Sequence, residues 1–212
     1  MYIPAHFAAG PDAVRHLLTT PGAANLVTMT DHGLLATLLP FAFNPAVGER
    51  GALQAHMART NPQWSTAPAG EALAIIQGPD DYISPSWYAA KAEHGRVVPT
   101  WNYSTAHVYG ELVFHDDAGW LAWHVRHLTG LHEDGRADPW AVDDAPEKFI
   151  AGQLRAIVGV ELVISRIEAK EKLSQNRSDT DAEGVAAGLR AGGVKPARPP
   201  SNARAGSDAY GP

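Results

Sequence analysis

The 212-residue sequence contains no cysteine, which excludes disulfides, thiolate metal sites and cysteine nucleophiles. It also has no surplus of positive charge: 17 Lys and Arg stand against 23 Asp and Glu, a formal net charge of −6. A chain of that sign has no global field to hold nucleic acid by phosphate neutralisation, so DNA contact is expected only through a local basic patch. No run of about 18 uninterrupted apolar residues exists to span a bilayer. The opening MYIPAHFAAGPDAVRH lacks the basic-then-apolar pattern of a secretory signal. No membrane partner is expected, and the expected location is cytoplasmic. Familiar chemical motifs are missing too: GxGxxG, GxxxxGK[ST], HExxH and GxSxG are all absent, which removes dinucleotide-fold, P-loop, zincin and nucleophile-elbow readings.

What is present is a strand-rich pattern. Pro11 to Thr19 is amphipathic, with Val14, Leu17 and Leu18 on one face. Ala24 to Met29 and Gly33 to Leu39, separated by Thr30-Asp31-His32, read as a hairpin. Gly51 to Ala58 and Ala72 to Gln77 are shorter strands, the second closed by the turn-like Gly78-Pro79-Asp80-Asp81. Thr100 to His115 and Ile157 to Lys170 are long strands; in the first, Trp101, Tyr103, Thr105, His107 and Tyr109 share a face opposite Ala106 and Val108. Helices are expected at about 118–133, 146–156 and 181–189. From Gly192, Gly and Pro occupy eight of 21 positions, too little apolar content to offset ordering entropy. The expected architecture is one mainly β (α+β) domain over residues 1–190, a small barrel with peripheral helices and a C-terminal helix, followed by a flexible tail at 191–212.

Several polar clusters have plain structural readings. His124, His127 and His132 lie on a predicted helix, and Glu133 adjoins them without ligand spacing, so a solvated face is expected and no metal. His115-Asp116-Asp117 reads as a turn. Arg166, Lys170, Lys172 and Arg177 read as a solvated basic face; with Lys195, Arg198 and Arg204 of the tail they are also the candidate DNA patch. Four segments, 55–64, 82–91, 99–103 and 170–177, are denser in polar and aromatic residues than loops require. They offer Arg59, Lys172 and Arg177 to a phosphate, carboxamides to a heterocycle edge and indoles to a flat ring. That is the inventory of an FMN site. The plainer alternative makes the tryptophans core and makes Asn61-Pro62 and Ser84-Pro85 turns.

The ordered motifs His56-Met-Ala-Arg-Thr-Asn-Pro-Gln-Trp64, Tyr82-Ile-Ser-Pro-Ser-Trp-Tyr88, Val98-Pro-Thr-Trp-Asn-Tyr103, Gln153-Leu-Arg-Ala-Ile-Val-Gly159 and Lys172-Leu-Ser-Gln-Asn-Arg177 resemble the PaiB-like family of FMN-binding negative transcriptional regulators. The resemblance implies a split β-barrel of the pyridoxamine-phosphate-oxidase-like type, a homodimer, and FMN near the subunit interface. It points to His56, Arg59, Asn61, Trp64, Trp101, Asn102, Lys172, Ser174, Gln175, Asn176 and Arg177 as cofactor-binding residues, and leaves catalytic residues unassigned. Two departures from the family pattern stand near these motifs: Ala55 where glycine is expected, and Ala169-Lys170-Glu171 where Gly-Lys is expected before Lys172. The implied role is regulatory. An FMN-dependent oxidoreductase is the rival, because no helix-turn-helix is visible and the acidic charge opposes operator binding.

Overall fold

The computed structural model describes residues 1–20 and 22–193. The expected tail beyond residue 193, with Lys195, Arg198 and Arg204, lies outside the described residues. Six strands, β1 (Gly22–Thr30), β2 (Gly33–Asn44), β3 (Ala52–Ala58), β4 (Ala72–Ile83), β5 (Thr100–His115) and β6 (Ile157–Lys172), close a barrel in the order β1-β2-β3-β6-β5-β4. The helices are α1 (Pro11–Thr19), the single-turn α2 (Ala90–Glu93), α3 (Ala118–Glu133), α4 (Glu147–Arg155) and α5 (Asp179–Ala191). This is the mainly β (α+β) barrel that the patterning predicts.

The β1–β2 hairpin turns at Asp31-His32. Thr30 donates its hydroxyl to the Gly33 carbonyl at 2.8 Å and accepts from the His32 amide, and Gly33 supplies a φ of 108°. That left-handed region suits glycine because no Cβ is there to clash. Burial in β5 alternates strictly from Trp101 to Gly110, with Asn102, Ser104, Ala106 and Val108 inward. Gly110 lets β5 approach β6 closely, since a Cβ there would strike the Val163 carbonyl.

The chain divides into two compact units. The first holds Met1–Ile3, Ala8–Gly78 and Thr105–Lys170; the second holds Pro4–Phe7, Pro79–Ser104 and the described residues from Glu171. In the first, small inward residues (Ala24, Ala55, Ala74, Ala106) interleave with large ones (Leu26, Leu53, Leu162, Ile164) to fill a narrow barrel, and Leu17 and Leu18 join the same core. The second has its own core of Ile83, Tyr88, Val185 and Leu189, with Trp87 and Val97 against it. Gly184 and Gly188, one turn apart on α5, make room there: a Cβ at either would collide with the Trp87 carbonyl or indole. Each glycine costs about 1 kcal/mol of helix propensity, and the fit of the indole is the compensation.

One expected turn is corrected. Gly78-Pro79-Asp80-Asp81 does not end the fourth strand, which runs on to Ile83. Proline is tolerated because β4 pairs with β1 only through Leu73 to Ile76, so the missing N–H at Pro79 breaks no rung of that ladder.

Candidate functional site

In the first unit, β3 delivers His56 to the outer side of the barrel, opposite Gly159 of β6 in register. Helix α3 covers this spot because Leu121, His124 and Leu128, spaced three and four apart, form its buried stripe. The Nδ1 of His56 and Nε2 of His124 are 3.2 Å apart and share a hydrogen bond. The His124 Nδ1 is buried with no hydrogen-bond partner among the described residues. The Trp120 indole is sandwiched between two imidazoles, His115 at 4.1 Å and His124 at 5.0 Å between centroids. Gly159 makes that packing feasible, since a Cβ there would enter the indole ring. The expected solvated histidine face is therefore corrected: His124 is wholly buried. Burial, followed by the neighbouring imidazoles, pushes His124 down to about 3, and burial also lowers His56, so the pair is neutral at pH 7.

Arg59 follows β3 and is held from several sides. Its Nε donates to the Arg155 carbonyl at 2.8 Å and one Nη to the Ile157 carbonyl at 3.0 Å, while both Nη atoms grip the Asp116 carboxylate. That bidentate hydrogen bonding raises Arg59 and holds Asp116 below the ordinary carboxylate range. Arg59, Asp116 and Arg155 border a cavity of about 370 Å³ floored by Leu121 and Leu154. Asp117, beside this ion pair, caps α3 by accepting from the Trp120 amide. Asn61 and Trp64 serve the same loop. The Asn61 carboxamide accepts from the Gln63 amide and donates to Thr37, which in turn donates to the buried Gln63 carboxamide; the Trp64 indole N–H donates to the Arg59 carbonyl at 2.6 Å.

In the second unit the end of β6 meets the start of β5. Lys172 donates to the Thr100 hydroxyl and to the Trp101 carbonyl, the latter at 2.8 Å. Ser174 adopts a φ of 65°, unusual for a residue with a side chain, and donates to the buried Asn102 carboxamide oxygen at 2.9 Å. Gln175 ties down its own turn, accepting from the Leu173 amide and donating to the Glu171 carbonyl. Asn176 is exposed, and the Arg177 guanidinium lies 4.6 Å over the Tyr88 ring. The Trp101 ring, 53% exposed, meets the half-exposed Tyr82 edge-on at 6.0 Å. Structure thus gathers Arg59 with Trp64 in one unit, and Trp101, Asn102, Lys172 and Ser174 in the other.

The basic face needs correction as well. Arg166 is paired with Glu71 and Glu168 and lies 3.3 Å over the Tyr109 ring, while Lys170 is buried. Both departures from the family pattern have simple places: Ala55 is wholly buried in the barrel core, and Ala169 is buried in the same core while its carbonyl accepts from the Ala9 amide.

Residues 1–166 match the family described as "Putative FMN-binding domain". The chain belongs to this family. Its similarity to "Protease synthase and sporulation protein PAI 2" of Bacillus subtilis is 34% identity over 185 residues, 85% of each chain, and the resemblance to the PaiB-like family stands on that match. Among solved structures, the flavocytochrome Anf3 of Azotobacter vinelandii aligns over 96% of this chain and 87% of its own at 14% identity and a TM-score of 0.55. An FAD and heme binding protein of Mycobacterium smegmatis aligns over 84% of this chain and 78% of its own at 20% identity and a TM-score of 0.53. At such identities these two speak for the split-barrel fold alone. The family's cofactor is FMN; in the first unit two guanidiniums border a cavity, chemistry that suits a phosphate, and in the second a fixed carboxamide and a half-exposed indole offer chemistry that suits a heterocycle. Among the described residues no helix is long and apolar enough to cross a membrane.

Proposed function

We propose that the protein is a cytoplasmic, FMN-binding homodimer of the PaiB-like regulator type, with flavin contacts assigned in each unit separately. In the first unit, Arg59 serves the phosphate, Asn61 and Trp64 fix the loop that carries it, and His56 contributes a hydrogen bond. In the second, Lys172 and Arg177 supply cations, Asn102, Ser174, Gln175 and Asn176 supply donors and acceptors, and Trp101 walls the ring. When bound, FMN supplies an isoalloxazine that accepts one or two electrons. The observation that carries the site assignment is the grouping at the end of β6 and the start of β5, where Lys172 is held on the Trp101 carbonyl and the Asn102 carboxamide on the Ser174 hydroxyl, while the outward Trp101 ring stays half exposed.

The homodimer is supported by the outer face of the hairpin. Ala23, Asn25, Val27 and Met29 on β1 lie directly opposite Pro40, Leu38, Ala36 and Leu34 on β2, and these eight residues carry no charge. Met29, Leu34 and Leu38 are each more than half exposed. A self-complementary apolar strip of this kind suits a two-fold interface with a second copy.

The regulatory role follows from the family resemblance, whereas the neutralised Arg166 and buried Lys170 favour the alternative, an FMN-dependent oxidoreductase on a small molecule, over direct operator binding. Titration of the protein with FMN, followed by flavin fluorescence and by light scattering, tests the reading. Quenching with a micromolar or tighter dissociation constant and a mass of two chains is expected; no quenching up to about a millimolar would reject it. Rapid reduction of bound flavin by NADH or NADPH, with turnover, would select the oxidoreductase.

A further inference from the structure

The first unit contains a second cavity, of about 580 Å³, between α1, the end of β2, the segment joining β2 to β3, and β6. Its floor is apolar: Val14, Leu18, Phe43 and Ile167 line it. The joining segment is shaped by two left-handed glycines, Gly48 at φ 63° and Gly51 at φ 83°. A Cβ on Gly51 would collide with the Phe43 ring, so this glycine lets the ring lie where it forms the cavity wall. At the mouth stand Arg15, Arg50 and Glu49. Arg15 has no ion pair among the described residues, and Arg50 is only loosely matched, 3.7 Å from a Glu49 side chain that is 93% exposed. The mouth therefore carries one net positive charge on a chain of net charge −6.

The lining defines the ligand by what it offers. It includes no Asn, Gln, Ser or Thr, so it offers no carboxamide or hydroxyl to the edge of a flavin or nucleobase. It does present an apolar floor of ligand-binding size beneath two guanidiniums. We propose that this cavity is a second binding site, separate from the flavin contacts, for an amphipathic carboxylate: an apolar chain buried against Phe43 and Val14, with its anionic head held by Arg15 and Arg50. A carboxylate matches the planar guanidinium fork, and the apolar body gains by leaving water.

The test uses the FMN-loaded full chain with octanoate as probe and octylamine as control, followed by calorimetry and by the FMN absorption spectrum. Octanoate is expected to bind about tenfold or more tightly than octylamine, because the two have the same number of carbons and heads of opposite charge. Val14→Trp fills the cavity and should abolish octanoate binding while FMN stays bound. Arg15→Gln combined with Arg50→Gln, both at the exposed mouth, should weaken octanoate about tenfold without weakening octylamine. Equal binding of the two probes, or octanoate binding that survives both variants, overturns the proposal. Competition between octanoate and FMN, or loss of FMN from a folded Val14→Trp protein, also overturns it, by assigning the cavity to flavin. If Val14→Trp fails to fold, the arginine variants decide alone.

Discussion

In the first unit, Arg59, Asn61 and His56 each have a partner on their own scaffold: Asp116, Thr37 and His124. In the second, Lys172 and Gln175 bond mainly to loop and strand backbone, and Trp101 and Asn176 keep exposed surface. Enclosure accounts for His56 and Asn61, whereas Arg59 is held by charge in a pair that water reaches. A polar group enclosed against a packed helix gains from a partner on its own chain, because an unmatched buried donor or acceptor costs about 1–3 kcal/mol, a cost borne here by the His124 Nδ1. A group at an open strand end can wait in water. A ligand that uses Arg59 must therefore displace a protein partner, whereas one that uses the exposed surface of Trp101 or Asn176 displaces solvent.

The largest expected effect breaks the first side of that comparison. Arg59→Ala should weaken FMN on the order of a hundredfold and riboflavin far less, since only FMN carries the phosphate that a guanidinium grips with two hydrogen bonds. Parallel fluorescence titrations decide; equal losses for the two ligands would make Arg59 a purely structural residue.

Next comes the second unit's own stability. Gly188→Leu drives a branched side chain into the Trp87 indole, and overpacking of that kind costs about 2 kcal/mol. Hydrogen exchange should show α5 amides losing protection while those of β1 to β3 keep theirs. Uniform loss throughout the chain would mean that the two units unfold as one.

A smaller effect depends on pH. His124 and His56 are both depressed in the folded state, so below the ordinary imidazole value of 6.5 the unfolded chain takes up protons that the native chain does not. Stability is then fully present above about pH 6.5 and falls as pH drops toward the folded values, by at most about 1.4 kcal/mol per pH unit for each histidine. Urea titrations between pH 7 and pH 4.5 should show this slope, and His124→Leu should lower it by close to one proton. An unchanged slope in a folded His124→Leu protein would mean that the pair is not the source.

These residues also mark where the sequence was legible and where it was not. The alternation from Trp101 to Gly110 gave β5 its inward and outward faces because a strand has period two and both faces were distinct in polarity. The hairpin was readable from two apolar runs around Asp31-His32. Gly78-Pro79-Asp80-Asp81 misled because turn chemistry says nothing about whether a strand segment has a partner to lose. His124 was readable in principle: it stands three residues after Leu121 and four before Leu128, on the apolar stripe of α3, but three nearby histidines suggested a wet face. Asp116 could not be found that way. Its partner Arg59 lies 57 positions away in the chain, and only closure of the barrel brings them together.

That long-range pair carries the smallest and most discriminating prediction. Asp116 presents to Arg59 the same two-oxygen geometry that a phosphate would, so a phosphate drawn to this guanidinium would compete with it. Asp116→Asn removes the competing charge and its repulsion of the incoming phosphate, while the carbonyls of Arg155 and Ile157 still aim the guanidinium. FMN should bind about threefold more tightly, riboflavin should be unaffected, and the gain should shrink with added salt because the pair is solvent-accessible. If Asp116→Asn weakens FMN instead, the carboxylate orients Arg59 rather than competing for it, and the first unit's guanidinium would then be counted with its scaffold.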